Sequence, residues 1–240
     1  MLEELCGDRH WRRAWHGYRD LVLALARRAE EPTLLEIGGG RSPLLTEEDV
    51  AELRCDYTVN DIDAAELARA PTWVRTLHGD IGAPDLVGSD PAPTYDLIFA
   101  HLVFEHVAHP ENAYRNIAKL LRPGGVFVNL IPTLYAPPFV LNRLLPEKTS
   151  ARVLRWAMPH RNDSEVPKFP AYYRWCTSTA HTERRLRSVG FSQCLVLPFY
   201  GHDYYRRVPG LRGLSRYVSR TAARRDWRPL STFAYVLCER

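Results

Sequence analysis

Short apolar runs alternate with amphipathic stretches along most of the chain, and the two periods predict where each element lies. Leu34, Leu35 and Ile37 form a run too continuous to alternate, the mark of a strand buried on both faces, over 33–37. Similar runs follow at Tyr57-Thr58-Val59-Asn60, Val74 to Leu77, Tyr95 to Ala100, Val126 to Ile131, Phe191 to Phe199 and Ser231 to Cys238. Helical spacing fills the intervals. Trp11, Trp15, Tyr18, Leu21, Val22 and Leu25 recur on one face and predict a single helix over 8–31, ended by Pro32. Further helices are expected from Leu44 and Leu45 to residue 53, over 64–70 before Pro71, over 110–121 with Pro110 in its first turn, and over 179–189 before Gly190. Strands alternating with helices predict an α/β fold with a doubly wound, mostly parallel sheet.

Two stretches break this rhythm. Residues 132–178 are rich in proline and aromatics, and read as a lid or substrate-binding insertion over the sheet edge. Residues 202–228 carry Arg206, Arg207, Arg212, Arg216, Arg220, Arg224, Arg225 and Arg228 between the last two strands. No repeat or linker marks a second domain. The expectation is one domain over 1–240, with residues 1–31 as an N-terminal helical cap.

The chemistry concentrates where strands end. After Ile37 come Gly38-Gly39-Gly40, a loop without Cβ atoms to which a ligand can come close. Glu36 stands at the strand end, with its side chain expected to point into the crevice there. Asp61 lies 21 residues after Gly40, where a carboxylate can accept both hydroxyls of a ribose. Asp80 can accept from an adenine amino group, with Ile81 against the ring. A dinucleotide fingerprint needs a third glycine, and Pro43 stands in its place. A nucleoside without a pyrophosphate fits this pattern better.

Bulk properties narrow the class further. The 240 residues carry 32 Lys plus Arg against 28 Asp plus Glu, a net charge of +4 that does not by itself imply nucleic acid. Only Lys119, Lys148 and Lys168 are lysine, a compositional bias rather than a recognition signal. Five scattered cysteines without a C-x-x-C pair argue against a disulfide framework or structural zinc. No apolar run reaches the roughly 20 residues of a spanning helix. A cytoplasmic protein is expected, with neither nucleic acid nor membrane as partner.

These pieces together resemble the class I S-adenosylmethionine-dependent methyltransferases, particularly the small-molecule "type 11" group. The resemblance rests on Leu35-Glu36-Ile37-Gly38-Gly39-Gly40, Asn60-Asp61-Ile62-Asp63, Gly79-Asp80-Ile81, Tyr95 to Ala100, Phe104-Glu105-His106-Val107 and Leu120-Leu121-Arg122-Pro123-Gly124-Gly125. It covers roughly residues 30–132. Glu36 stands where Asp is more usual, and Ser42-Pro43 where a third glycine is customary. The family implies a Rossmann-like sheet of seven strands ordered 3-2-1-4-5-7-6, the last antiparallel. It implies S-adenosyl-L-methionine as cofactor, held by Glu36, Gly38, Gly39, Gly40, Asp61, Ile62, Asp80, Ile81 and His101. It also implies transfer of a methyl group to an O or N atom of a small molecule, with secondary metabolism as one setting.

The acceptor side is less legible. His106 is the candidate base, against the alternative of a packed histidine in the turn after the fourth strand. His101, Glu105, His106 and His109 miss the spacing of a known zinc motif by one residue, and no metal is expected. Tyr135, His160, Tyr172 and Tyr173 are the candidate acceptor-binding residues, with Arg143 and Trp175 behind them; the aromatics could equally close the lid's own core. Trp11, Trp15 and Tyr18 either cap the cofactor site or only pack on the sheet. The arginine-rich segment reads first as a solvated helix face, and otherwise as a site for an anionic or carrier-bound acceptor. Two other functions remain open: a catalytically silent binding scaffold or partner subunit, and another adenosyl-sulfonium transfer such as aminopropyl transfer.

Overall fold

The computed structural model describes residues 9–84, 86, 95–134, 170–203 and 211–240. Seven strands form one sheet: β1 Thr33–Ile37, β2 Asp56–Asp61, β3 Arg75–His78, β4 Tyr95–His101, β5 Leu121–Pro132, β6 Gln193–Phe199 and β7 Phe233–Glu239. Their order is β3-β2-β1-β4-β5-β7-β6. β1 pairs in parallel with both β2 and β4, whereas β7 runs antiparallel to β5 and β6. Both the expected order and the antiparallel last strand are observed. The order reverses between β1 and β4, so their carboxyl ends flank the crevice where open α/β sheets bind ligands.

The helices among the described residues are α1 Trp11–His16, α2 Tyr18–Ala26, α3 Glu47–Leu53, α4 Ala64–Leu67, α5 Pro110–Leu120, α6 Ala180–Ser188 and α7 Leu211–Arg224. Successive side chains of a strand point to opposite faces, which gives the sheet two apolar layers. Leu35, Ile37, Ile98, Phe127 and Ile131 meet Tyr114 and Ile117 of α5 and Leu186 of α6 on one face. Leu34, Val59, Leu97, Phe99 and Val128 meet Leu21, Val22 and Leu25 of α2 on the other.

Two local expectations are corrected. The single helix expected over 8–31 is two helices broken at Gly17, whose amide closes α1 onto Arg13. A Cβ at Gly17 would stand 2.8 Å from the Arg13 carbonyl oxygen. The helix expected from Leu44 starts at Glu47, because Thr46 and Asp49 form a reciprocal capping box there. Leu44 is kept out of the helix by giving its amide to Glu36 instead. On β5, Tyr95 pairs with Leu121 but Leu97 pairs with Val126, so residues 122–125 loop out of the ladder as the expected glycine turn.

Side chains tie this frame together at the edge that matters. The Tyr18 hydroxyl, fully buried, reaches the carbonyl oxygens of Ala100 at 2.6 Å and Val128 at 3.0 Å. It fastens α2 across the ends of β4 and β5. Asn60 donates to the carbonyls of Leu77 and Gly79, and Asn116 of α5 to those of Ile81 and Ala83. The end of β3 and the loop after it are thereby held from both sides. Tyr18→Phe is expected to cost about 1–3 kcal/mol, because it strips buried carbonyls of their donor. Urea unfolding measures this, and an unchanged midpoint would mean that the hydroxyl contributes nothing net.

Candidate functional site

The glycine loop sits at the reversal point between β1 and β4. Gly38 and Gly40 have left-handed φ of 74° and 49°, which only glycine adopts without strain. Space for a Cβ is short as well. At Gly38 it would stand 2.5 Å from Val103 Cγ2, and at Gly39 2.8 Å from the Glu36 carboxyl carbon. At Gly40 it would stand 3.0 Å from Asp61 Oδ2. The loop is thus pressed between the turn after β4 and the carboxylates of β1 and β2.

Glu36 does not point into the crevice as expected. It is 4% exposed, and its carboxylate accepts from the Tyr57 hydroxyl and, at 2.9 Å, from the Leu44 amide. Leu44 lies beyond the glycine loop, so Glu36 braces the loop from beneath. Burial raises the Glu36 carboxyl to about 7, with the Tyr57 and Leu44 hydrogen bonds opposing the rise. No feature of the linear sequence marked Tyr57 as its partner; the pairing comes from placing β2 beside β1.

Asp61 ends β2 facing the loop. Its Oδ1 accepts from the Asp63 amide at 2.9 Å, while Oδ2 is the atom turned toward Gly40. Burial, with the nearby charges of Asp63 and Glu66, holds it above its ordinary value. Glu66 in turn pairs with Arg41 at 3.2 Å, just past the glycines. Ile62, the next residue, is 54% exposed, an apolar surface at a strand end otherwise lined by polar groups. Asp80 is half-buried, and its Oδ1 accepts from the Gly82 amide at 2.7 Å. Ile81 turns inward instead, into the apolar layer beneath the edge, so the exposed hydrophobe here is Ile62. A ribose beside Asp61 and a flat apolar base beside Ile62 suit these side chains, and the missing Cβ atoms at 38–40 let the loop lie directly against Val103, Glu36 and Asp61.

His101 ends β4 across the crevice. Its ring lies 5.1 Å from that of Tyr18 and 5.6 Å from that of Trp15, and burial lowers its pKa. The N-terminal aromatics therefore reach the end of β4, while Tyr18 also packs on the sheet. Trp15 remains 39% exposed.

The turn after β4 is the 3-10 segment Phe104–His106. His106 Nδ1 lies 3.0 Å from the Pro170 carbonyl, which can only accept, so that nitrogen carries a proton. His106 Nε2 is 4.0 Å from Glu105 Oε1. Glu105 is 8% exposed, and burial raises its carboxyl to about 7. Its Oε2 is buried without a hydrogen-bond partner among the described residues. The Glu105 carbonyl accepts the amides of both Tyr172 and Tyr173. Both tyrosines are therefore brought beside the turn, Tyr172 partly exposed and Tyr173 packed on the core. Tyr135, Arg143 and His160 lie outside the described residues. Glu105 itself stood only within a motif; its burial against the returning chain is a tertiary fact. Among the described residues no three His, Cys, Asp or Glu side chains converge as a metal site.

Comparison with known proteins places this geometry. A family model described as a methyltransferase domain matches residues 9–177. A ubiquinone biosynthesis O-methyltransferase of Caulobacter vibrioides is 36% identical over 139 residues, 55% of this chain and 51% of that protein. The chain spans about half the length of the curated relatives it matches. Among solved structures, a SAM dependent methyltransferase from Archaeoglobus fulgidus superposes with a TM-score of 0.54 at 14% identity, covering 96% of this chain and 98% of that one. An S-adenosylmethionine dependent methyltransferase from Mesorhizobium loti gives 0.50 at 18%, covering 90% and 96%. At such identities the structures speak for the fold.

The two buried carboxyls set a pH dependence. Each titrates near 4.5 when unfolded and near 7 when folded, so the folded protein holds protons that the unfolded chain releases. Their ionisation therefore destabilises: stability is full below about pH 4.5 and falls as the pH rises through about 7, by at most about 3 kcal/mol per group. Glu36→Gln and Glu105→Gln are each expected to flatten this fall in urea unfolding between about pH 5 and 8. A slope that neither substitution changes would mean that both carboxyls are already ionised in the folded protein.

Proposed function

The chain belongs to the methyltransferase-domain family, and on that premise we propose that it transfers a methyl group from S-adenosyl-L-methionine to an oxygen of a small molecule. The observation that supports this most is the closeness of Gly40 to Asp61 at the β1–β4 reversal, where a Cβ would stand 3.0 Å from the carboxylate. That juxtaposition suits a nucleoside whose ribose sits on Asp61 and whose amino-acid arm runs along the glycines toward His101. Ile62 offers its exposed side chain to the base, and Asp80 an oxygen to the base's amino group. Glu36 serves from beneath, by holding the loop rather than by contact.

The donor's sulfonium supplies a methyl group that is already activated. The chain's own task is then to orient the acceptor in line with it and to exclude water. A hydroxyl acceptor must also lose a proton. His106, with Nδ1 protonated against Pro170, presents Nε2 as its basic nitrogen, and Glu105 stands near enough to stabilise the imidazolium that forms. Tyr172 and Tyr173, seated on the Glu105 carbonyl, are the described residues placed to meet the acceptor. The oxygen as acceptor atom is favoured by the name of the Caulobacter relative, ubiquinone biosynthesis O-methyltransferase.

Two measurements test this reading. Asp61→Ala is expected to weaken S-adenosylmethionine binding in calorimetry by about 1–3 kcal/mol, the cost of losing hydrogen bonds to a charged group. Unchanged affinity would place the ribose elsewhere. In a labelled-methyl assay over a panel of hydroxylated acceptors, His106→Ala is expected to lower kcat about 10²–10⁴-fold while leaving donor affinity intact. An unaltered kcat would reduce His106 to a tie for the chain at Pro170.

A further inference from the structure

Helix α7 is built the wrong way round for a helix that only packs on its own domain. Toward the protein it turns small or polar residues: Ala222 is buried, Ser219 lies against Gly201, and the Ser215 hydroxyl is 3.1 Å from His202 Nε2. Two of its large apolar side chains face outward instead. Leu214 is 59% exposed and Tyr217 71%. Arg212, Arg216, Arg220 and Arg224 follow one another at four-residue spacing, which aligns them in one row along the helix. All four are exposed, and none pairs with a carboxylate among the described residues. The helix contains no acidic residue at all. Just beyond it, Trp227 is 43% exposed beneath the Arg225 guanidinium.

We propose that this outward face of α7 seats the chain on a bilayer rich in anionic phospholipid. The row of guanidiniums complements a surface of phosphates, and Leu214 and Tyr217 flank it at the depth where acyl chains begin. A second copy of the chain is a poor occupant, since a two-fold contact through this face would set one arginine row against another. A nucleic acid would use the arginines but leave Leu214 and Tyr217 without a role. The expectation of no membrane partner rested on the want of a spanning run. Among the described residues no helix is long and apolar enough to cross a membrane, but lying against one needs no such length. α7 leans on Gly201 and His202, which follow β6 at the carboxyl edge of the sheet, so the attachment would bring that edge near the lipid. The surface stands on charge and exposure alone and does not depend on the methyl-transfer reading.

The test is flotation of the whole chain with vesicles of phosphatidylcholine alone and of phosphatidylcholine mixed with phosphatidylglycerol, at low and high salt. The chain is expected to float with the mixed vesicles only, and salt is expected to release most of it. Arg216→Glu with Arg220→Glu should weaken that binding by at least about tenfold. Circular dichroism checks that the variant folds, and Arg216→Gln with Arg220→Gln, which removes charge without reversing it, must weaken binding too. Leu214→Ser with Tyr217→Ser should weaken it at both salt levels. Equal binding to the two vesicles, binding to neither, or indifference to the arginine substitutions would overturn the proposal. So would tighter binding to duplex DNA or polyglutamate that ignores the Leu214 and Tyr217 changes.

Discussion

A single buried carboxylate holds the organising loop of this protein in place. Glu36 ends the central strand, accepts from Tyr57 on the neighbouring strand, and catches the amide of Leu44 on the far side of Gly38-Gly39-Gly40. Gly39 packs so closely over it that a Cβ would stand 2.8 Å from the carboxyl carbon. The loop cannot lift without unpairing a group that is 4% exposed, and at Gly39 it cannot carry a side chain without colliding with that group. Burial raises the carboxyl's pKa, so the same brace costs stability once it ionises. That cost is the counterpart of a rigid, side-chain-free floor to the crevice.

The rest of the crevice follows from the sheet around that floor. The order reverses between β1 and β4, which separates the carboxyl ends just there. Asp61 and Asp80 arrive because each closes its own strand or the loop after it, and Asn60 and Asn116 fix the loop that carries Asp80. Tyr18 fastens the N-terminal helices across β4 and β5, and so brings Trp15 to His101. On the opposite wall the chain returning at Pro170 is knotted to Glu105 and His106. One wall of the crevice therefore carries Asp61 and Asp80, and the other the Glu105–His106 turn with the chain that returns to it.

Much of this was legible before any coordinates. Apolar runs bounded by glycine and proline reveal strands whatever their partners, so all seven strands and the glycine loop were readable, each within a few residues. The family resemblance supplied their order. Depth was not readable. The pattern of Leu34 to Ile37 tells that a strand is buried, not that Glu36 is buried with it; its burial depends on Tyr57, which is remote in sequence. Ile62 and Ile81 look alike beside their aspartates, yet one is exposed and the other packed in the core. The break at Gly17 was hidden because the apolar face continues in phase across it. Arginine spacing in α7 was visible, but that Leu214 and Tyr217 turn outward required knowing which face leans on Gly201 and His202.

The account's central claim is that the cradle of Gly38 to Gly40, closed by Asp61, receives an adenosyl amino acid. Its most direct test is a crystal structure of the chain with S-adenosylhomocysteine. The predicted result is density along the glycine loop, with the ribose hydroxyls on the Asp61 carboxylate, the base over Ile62, and Glu36 still bound to Tyr57 and Leu44. Density for the ligand at another strand end, or a ribose that leaves Asp61 untouched, would contradict it.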